Sequence, residues 1–251
     1  CQLYPTCIAP SSWTIPSHAS LLSGKHSSAI WGIGLDQRER GFDWEQLSVP
    51  SNLTFITEDL VKKGYQTALI SANPLVSDTF GFQQGFDHVT RFRIFPHRKL
   101  SVYRFIAKRL DFPRTVMEVR KASDVTKKGI EWLAAQDDDP YFLLLNYMDA
   151  HAPLLLDRME RRRLRSLGAE YMPESMQFRV AARVNKKKVP LIPEEKRFFT
   201  TAYGLVCERL DRQMGEIFRC IQEQDVEGKT AMVITSDHGE SLGEKLFMGH
   251  G

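Results

Sequence analysis

The chain has no run of apolar residues long enough to cross a bilayer as a helix. It also lacks the charged, apolar and small-residue succession of a secretory leader. Its four cysteines (Cys1, Cys7, Cys207 and Cys220) are too sparse for a disulfide scaffold and lack the paired spacing of a zinc site. Internal repeats and low-complexity tracts are absent, which excludes solenoids and extended linkers. A dominant charge sign is missing too: 34 Lys and Arg face 31 Asp and Glu, a net charge of +3. Nucleic acid is therefore not an expected partner, and nothing signals an oligomeric state. The counts leave the compartment open. The cytoplasm is preferred over an extracytoplasmic site, which would require a removed leader. The first residue is Cys1 rather than Met, as expected for a processed or excised piece.

What is present suits a globular protein with one sizeable core: 42% hydrophobic and 26% charged residues over 251 positions. The charge is unevenly placed. Residues 91–121 hold ten Lys and Arg against two acids, and residues 158–188 hold ten against three. A solvated helix face and loop is the preferred reading, and a grip on a polyanion is the alternative.

Three short apolar runs read as buried strands: Thr67–Ala72, Tyr141–Tyr147 and Thr230–Thr235. Between them lie helical patterns over Leu53–Lys63, Asp124–Gln136 and Glu194–Gln224, the last with Phe198, Ala202, Leu205, Met214, Ile217 and Ile221 at helical spacing. This alternation predicts an α/β fold with a mostly parallel sheet. Residues 154–193 break the rhythm with basic side chains and prolines, and read as an insertion facing substrate or closing over it.

In open α/β sheets, ligands bind beyond the carboxyl ends of the strands. Asn73-Pro74 follows the first run, Met148-Asp149-Ala150-His151-Ala152-Pro153 the second, and Ser236-Asp237-His238-Gly239-Glu240 the third. A carboxylate beside an imidazole, with Gly239 allowing a sharp turn, can hold a divalent ion; equally, Asp237 can cap a helix and His238 lie on the surface. His151 can hydrogen-bond an anionic oxygen, with Asp149 orienting it or capping the loop. His250 lies between two glycines that permit close approach of a ligand. Near the N-terminus, "SSWTIPSHASLLSG" places Thr14 at or just before a helix start, with Pro16 in its first turn. The Thr14 hydroxyl either caps that helix or serves as a nucleophile beside an anion site.

The set "SSWTIPSHASLLSG", "MDAHAP" and "ITSDHGESLGEKLFMGHG" resembles the sulfatase-like branch of the alkaline phosphatase superfamily. "LTFITEDLVKKGYQTALISANP", "GFQQGFDHV" and "YGLVCERLDRQMGEIF" add to the match, which covers nearly the whole chain outside the two basic segments. The resemblance implies a three-layer α/β/α sandwich forming a single catalytic domain over 1–251. It also implies cleavage or transfer of phosphate or sulfate esters with a divalent metal ion (Ca, Mg, Mn or Zn) and a covalent intermediate. Thr14 stands at the nucleophile position and His18 in place of the family's Arg. A Thr is not convertible to formylglycine, which turns the expectation from formylglycine sulfatases towards the phosphodiesterase and phosphoethanolamine-transferase relatives. The resemblance further implies that Asp237 and His238, with Thr14, hold the metal. His151 and His250 would contact the transferred anion, and Ser17 and Asn73 the substrate. Lys245 replaces a common His, and the acidic pair that relatives carry on a first strand is absent, so a fragment lacking that strand, or a degenerate copy, is expected. A non-catalytic polyanion-binding module is one alternative. A serine hydrolase using Ser241 within Gly239-Glu240-Ser241-Leu242-Gly243 is another.

Overall fold

A computed structural model describes residues 2–31, 48–90, 94–96, 115–117, 120–136, 139–224 and 228–250. Its elements in chain order are α1 (Thr14–Ser23), α2 (Ser27–Trp31), α3 (Ile56–Lys62), β1 (Gln66–Ser71), β2 (His88–Val89), β3 (Ile94–Pro96), β4 (Thr115–Met117), α4 (Ala122–Ala134), β5 (Tyr141–Asn146), α5 (Arg158–Ser166), α6 (Glu174–Lys187), α7 (Pro193–Gln224), β6 (Ser241–Leu242) and β7 (Met248–Gly249). The sheet that positions the site is parallel, in the order β2-β1-β5. The register pairs Gln66 with Tyr141 and runs without a bulge to Ser71 opposite Asn146.

Alternation along β1 sends side chains to two separate cores. Leu69 joins Ile15, Ala19 and Leu22 of α1, Phe55 and Phe82 on one face. Ile70 joins Val125 of α4 on the other, with Leu143 and Leu145 of β5. Helices therefore cover both faces, as an α/β sandwich requires. α3 starts where the Glu58 carboxylate accepts the Phe55 N–H at 2.7 Å.

One expected strand differs from the structure. Thr230–Thr235 forms no strand: it has no ladder, and Val233 and Ile234 are 85% and 65% exposed. An apolar run reports a capacity for burial, whereas a strand also needs a partner edge. A side-chain hydrogen bond joins Tyr141 Oη of β5 to Thr230 Oγ1, at 3.1 Å. Residues 154–193, read as an insertion, build a third core: Leu154, Leu164, Val180 and Val184 pack against Phe198, Phe199, Ala202 and Val206 of α7. Asp157 and Glu160 form a reciprocal capping box at the start of α5. Several basic residues of this segment are already paired, Arg163 with Glu208 and Arg183 with Glu195, while Arg161 lies over the Tyr171 ring. The other basic segment falls largely outside the described residues; within it only the β3–β4 backbone pairing and residues 120–121 are described.

Candidate active site

α1 delivers the first group. Trp13 is extended and makes no side-chain cap, so Thr14 is the first helical residue rather than the cap. Thr14 is 3% exposed. Its backbone lies at the positive end of a ten-residue helix, where N–H groups and dipole favour an anion. Thr14 Oγ1 lies 3.4 Å from His238 Nε2 and accepts from Asn73 Nδ2 at 3.4 Å. A simple capping role for this hydroxyl is thereby replaced by contacts reaching two distant loops.

The loop after 230–235 is fastened to α1. Ser17 Oγ donates to the Asp237 carbonyl at 2.5 Å, so Ser17 orients the loop backbone. Asp237 Oδ2 lies 3.4 Å from both His238 Nε2 and His18 Nδ1. His238 Nδ1–H donates to the Gly239 carbonyl at 3.0 Å, which leaves the Nε2 lone pair facing Thr14. Thr14 Oγ1 and Asp237 Oδ2 thus each lie 3.4 Å from His238 Nε2, an oxygen and nitrogen donor set whose chemistry suits a divalent ion.

His18 is 4% exposed. Its Nδ1–H donates to the Thr14 carbonyl at 3.0 Å, and its Nε2 accepts from Asn146 Nδ2 at 3.1 Å. Burial holds its pKa below the usual imidazole range, against the opposing pull of Asp237. At the position where the resemblance places an Arg, the structure thus supplies a neutral ring. Asn146 also accepts from Ser71 Oγ at 3.1 Å, and Ser71 Oγ exchanges hydrogen bonds with the Asn73 backbone. A continuous polar line joins the ends of β1 and β5 to α1. Ser71 and Asn146 were not among the residues singled out. Their signal was available, as the polar positions of otherwise apolar strands.

His151 and His250 meet with their Nε2 atoms 2.8 Å apart, and the His250 ring packs against His238 with centroids 4.2 Å apart. His151 Nδ1–H donates to the Ala152 carbonyl, so its Nε2 accepts and His250 Nε2 donates. Burial lowers the pKa of both rings; that of His250 falls to about 4, helped by His238 and His151. Glu240 joins them, with ligand atoms of His151, Glu240 and His250 within 4.8 Å of one another. Burial raises the Glu240 carboxyl to about 7. Asp149, expected to orient His151 or cap its loop, pairs instead with Arg209 of α7 at 3.1 Å. Ser241 Oγ donates to the Phe247 carbonyl at 2.8 Å and also bonds Glu244; no histidine bonds it among the described residues. β6 is a two-residue hairpin strand and supplies no strand-to-helix nucleophile elbow.

Thr14, Ser17, His18, Asn73, His151, Asp237, His238 and His250 therefore belong to one connected group, and Asp149, Ser241 and Lys245 do not. The wider fold has solved counterparts. BT4656, in complex with its substrate D-glucosamine-2-N,6-O-disulfate, aligns at TM-score 0.62 and 17% identity, covering 97% of this chain and 59% of that one. The phosphonate monoester hydrolase of Agrobacterium radiobacter aligns at TM-score 0.59 and 15% identity, covering 96% and 56%. The chain thus spans less than two thirds of either structure's length. A family model, Sulfatase, matches residues 3–251, and the chain belongs to the sulfatase family.

Proposed function

We propose that the protein cleaves or transfers phosphate or sulfate esters through a covalent Thr14 intermediate. The observation that carries this reading is the Thr14 hydroxyl, buried at the N-terminus of α1 and 3.4 Å from the bare Nε2 of His238. The Thr14 proton passes towards His238, Oγ1 bonds to the phosphorus or sulfur, and the bond to the leaving oxygen breaks. Water or an acceptor hydroxyl then attacks the same centre and releases Thr14. The Asn73 amide steadies Oγ1, and α1 contributes its dipole to the anionic oxygens. The His151–His250 pair lies beside them, and its one shared N–H, held between the two Nε2 atoms, would turn to an anionic oxygen there. A divalent ion held by Thr14, Asp237 and His238 would acidify the hydroxyl and neutralise charge on the oxygens. The His238 lone pair serves as ligand or as proton acceptor, and either use sharpens the nucleophile.

A threonine at this position supports ester chemistry that does without formylglycine. The polyanion-binding alternative loses support from the ion pairs that engage Arg163 and Arg183. The test is turnover of 4-nitrophenyl phosphate, 4-nitrophenyl sulfate and a phenylphosphonate monoester by the intact protein. Thr14→Ala is expected to abolish it and Thr14→Ser to retain part of it. Full activity in Thr14→Ala removes Thr14 as the nucleophile.

A further inference from the structure

Beside the histidine pair lies a cavity of about 500 Å³ whose wall is shared by the 154–193 segment and the 240–250 hairpin. Its ionisable lining groups, His151, Glu240 and His250, gather at one end, within 4.8 Å of one another. The wall also includes Phe178, Ala181, Phe199, Leu242, Phe247 and Met248. Its other polar side chains are Ser241, which bonds the Phe247 carbonyl and Glu244, and two amides committed to backbone. Asn185 donates to the Met248 carbonyl at 3.0 Å and accepts its N–H at 2.8 Å. Gln177 bonds both backbone groups of Leu154 and the Met172 carbonyl. No Lys or Arg lines the cavity among the described residues. Lys188 sits over the Phe247 ring at 5.8 Å from its centroid without lining the cavity.

We infer that this cavity receives the leaving group of the ester, and that the group is an uncharged, largely apolar one such as an aryl or alkyl alcohol. The inference rests on the reading of Thr14 and the histidines as the reacting end. Away from the His151–Glu240–His250 end, a charged sugar would need cations or unpaired polar side chains, and among the described residues that part of the wall presents neither. An apolar ring needs only the dry surface that Phe178, Phe199, Leu242 and Phe247 provide. The geometry is then bipolar: the anion sits at the histidines and the apolar body lies along α6. Helices read from sequence as an excursion become the specificity wall.

The experiment measures binding to the Thr14→Ala protein, in which esters are held without turnover. The probes are inorganic phosphate, 1-naphthyl phosphate and glucose 6-phosphate. Burying on the order of 60 Å² of ring corresponds to about tenfold in affinity. 1-Naphthyl phosphate is therefore expected to bind at least about tenfold tighter than phosphate, and glucose 6-phosphate no tighter than phosphate. Ala181→Trp, which fills the cavity, is expected to erase the naphthyl gain and leave phosphate affinity unchanged. Phe178→Ala, a milder change, should weaken naphthyl phosphate several-fold and spare phosphate. Equal binding of the naphthyl ester and phosphate, or a naphthyl gain that survives both substitutions, overturns the cavity assignment while leaving the anion site intact. Failure of every probe to bind overturns the anion site and the cavity together.

Discussion

Glu240 and His250 make opposite demands on pH, and Glu240→Gln separates them. The Glu240 side chain is 7% exposed, and its carboxyl is raised by burial from 4.5 to about 7. The fold therefore holds this proton more tightly than the unfolded chain does. Its contribution to stability is full below pH 4.5 and is lost as pH rises through 7. At about 1.4 kcal/mol per pH unit, ionising Glu240 inside the fold costs about 3 kcal/mol. His250 is lowered from 6.5 to about 4, so its contribution is full above pH 6.5 and is lost as pH falls through 4, by a similar amount. Between pH 4.5 and 6.5 the two slopes cancel in the native protein. Glu240→Gln keeps the shape and removes one slope. Relative to wild type, the variant should match it near pH 4.5 and gain about 3 kcal/mol by pH 8. Urea unfolding across this range, followed by tryptophan fluorescence in the presence of a chelator, measures the difference. A difference that does not change with pH would refute the buried-carboxyl argument.

Other outcomes follow from particular contacts. Asn185→Leu leaves the buried N–H and carbonyl of Met248 unpaired, at about 1–3 kcal/mol each, and should speed amide hydrogen exchange at 247–250. Gly85→Ala would set a Cβ 2.4 Å from the Glu58 nitrogen at a φ of +67°, so a loss of about 2–4 kcal/mol is expected in thermal or urea unfolding. His18→Phe keeps an aromatic ring but strands the Asn146 amide and removes the ring's hydrogen bond to the Thr14 carbonyl. It should lower turnover more than tenfold while leaving binding of inorganic phosphate within a few-fold, as steady-state kinetics and calorimetry would show.

Much of the scaffold was legible because periodicity and burial agree. The run Thr67–Ala72 has one partner on each side of β1 and became a strand within one residue of expectation. The long helix was visible in its repeating Phe198, Ala202 and Leu205, all of which are buried. Thr230–Thr235 has the same apolar signature but lacks a paired edge, and pairing depends on what lies beside a run rather than on the run itself. The candidate-site residues stood out where a motif concentrates chemistry, as at Thr14 and Asp237-His238. Asn185 did not, because it acts through a partner distant in sequence, and Ser71 and Asn146 left only the signal of polar positions in apolar strands. Glu240 stood inside a conspicuous motif, yet its raised pKa comes from burial, which no local spacing reveals. Asp149 shows the converse: its place two residues before His151 suggested a partnership, and Arg209 of α7 claims the carboxylate instead.

The central claim is that Thr14 carries the transferred group. Acid quenching of the intact protein during turnover of 4-nitrophenyl phosphate or sulfate, followed by peptide mass spectrometry, tests it directly. The account predicts a phosphoryl or sulfuryl increment on the peptide containing Thr14, localised to that residue and absent in Thr14→Ala. Turnover with Thr14 unmodified and the increment on another side chain would contradict it.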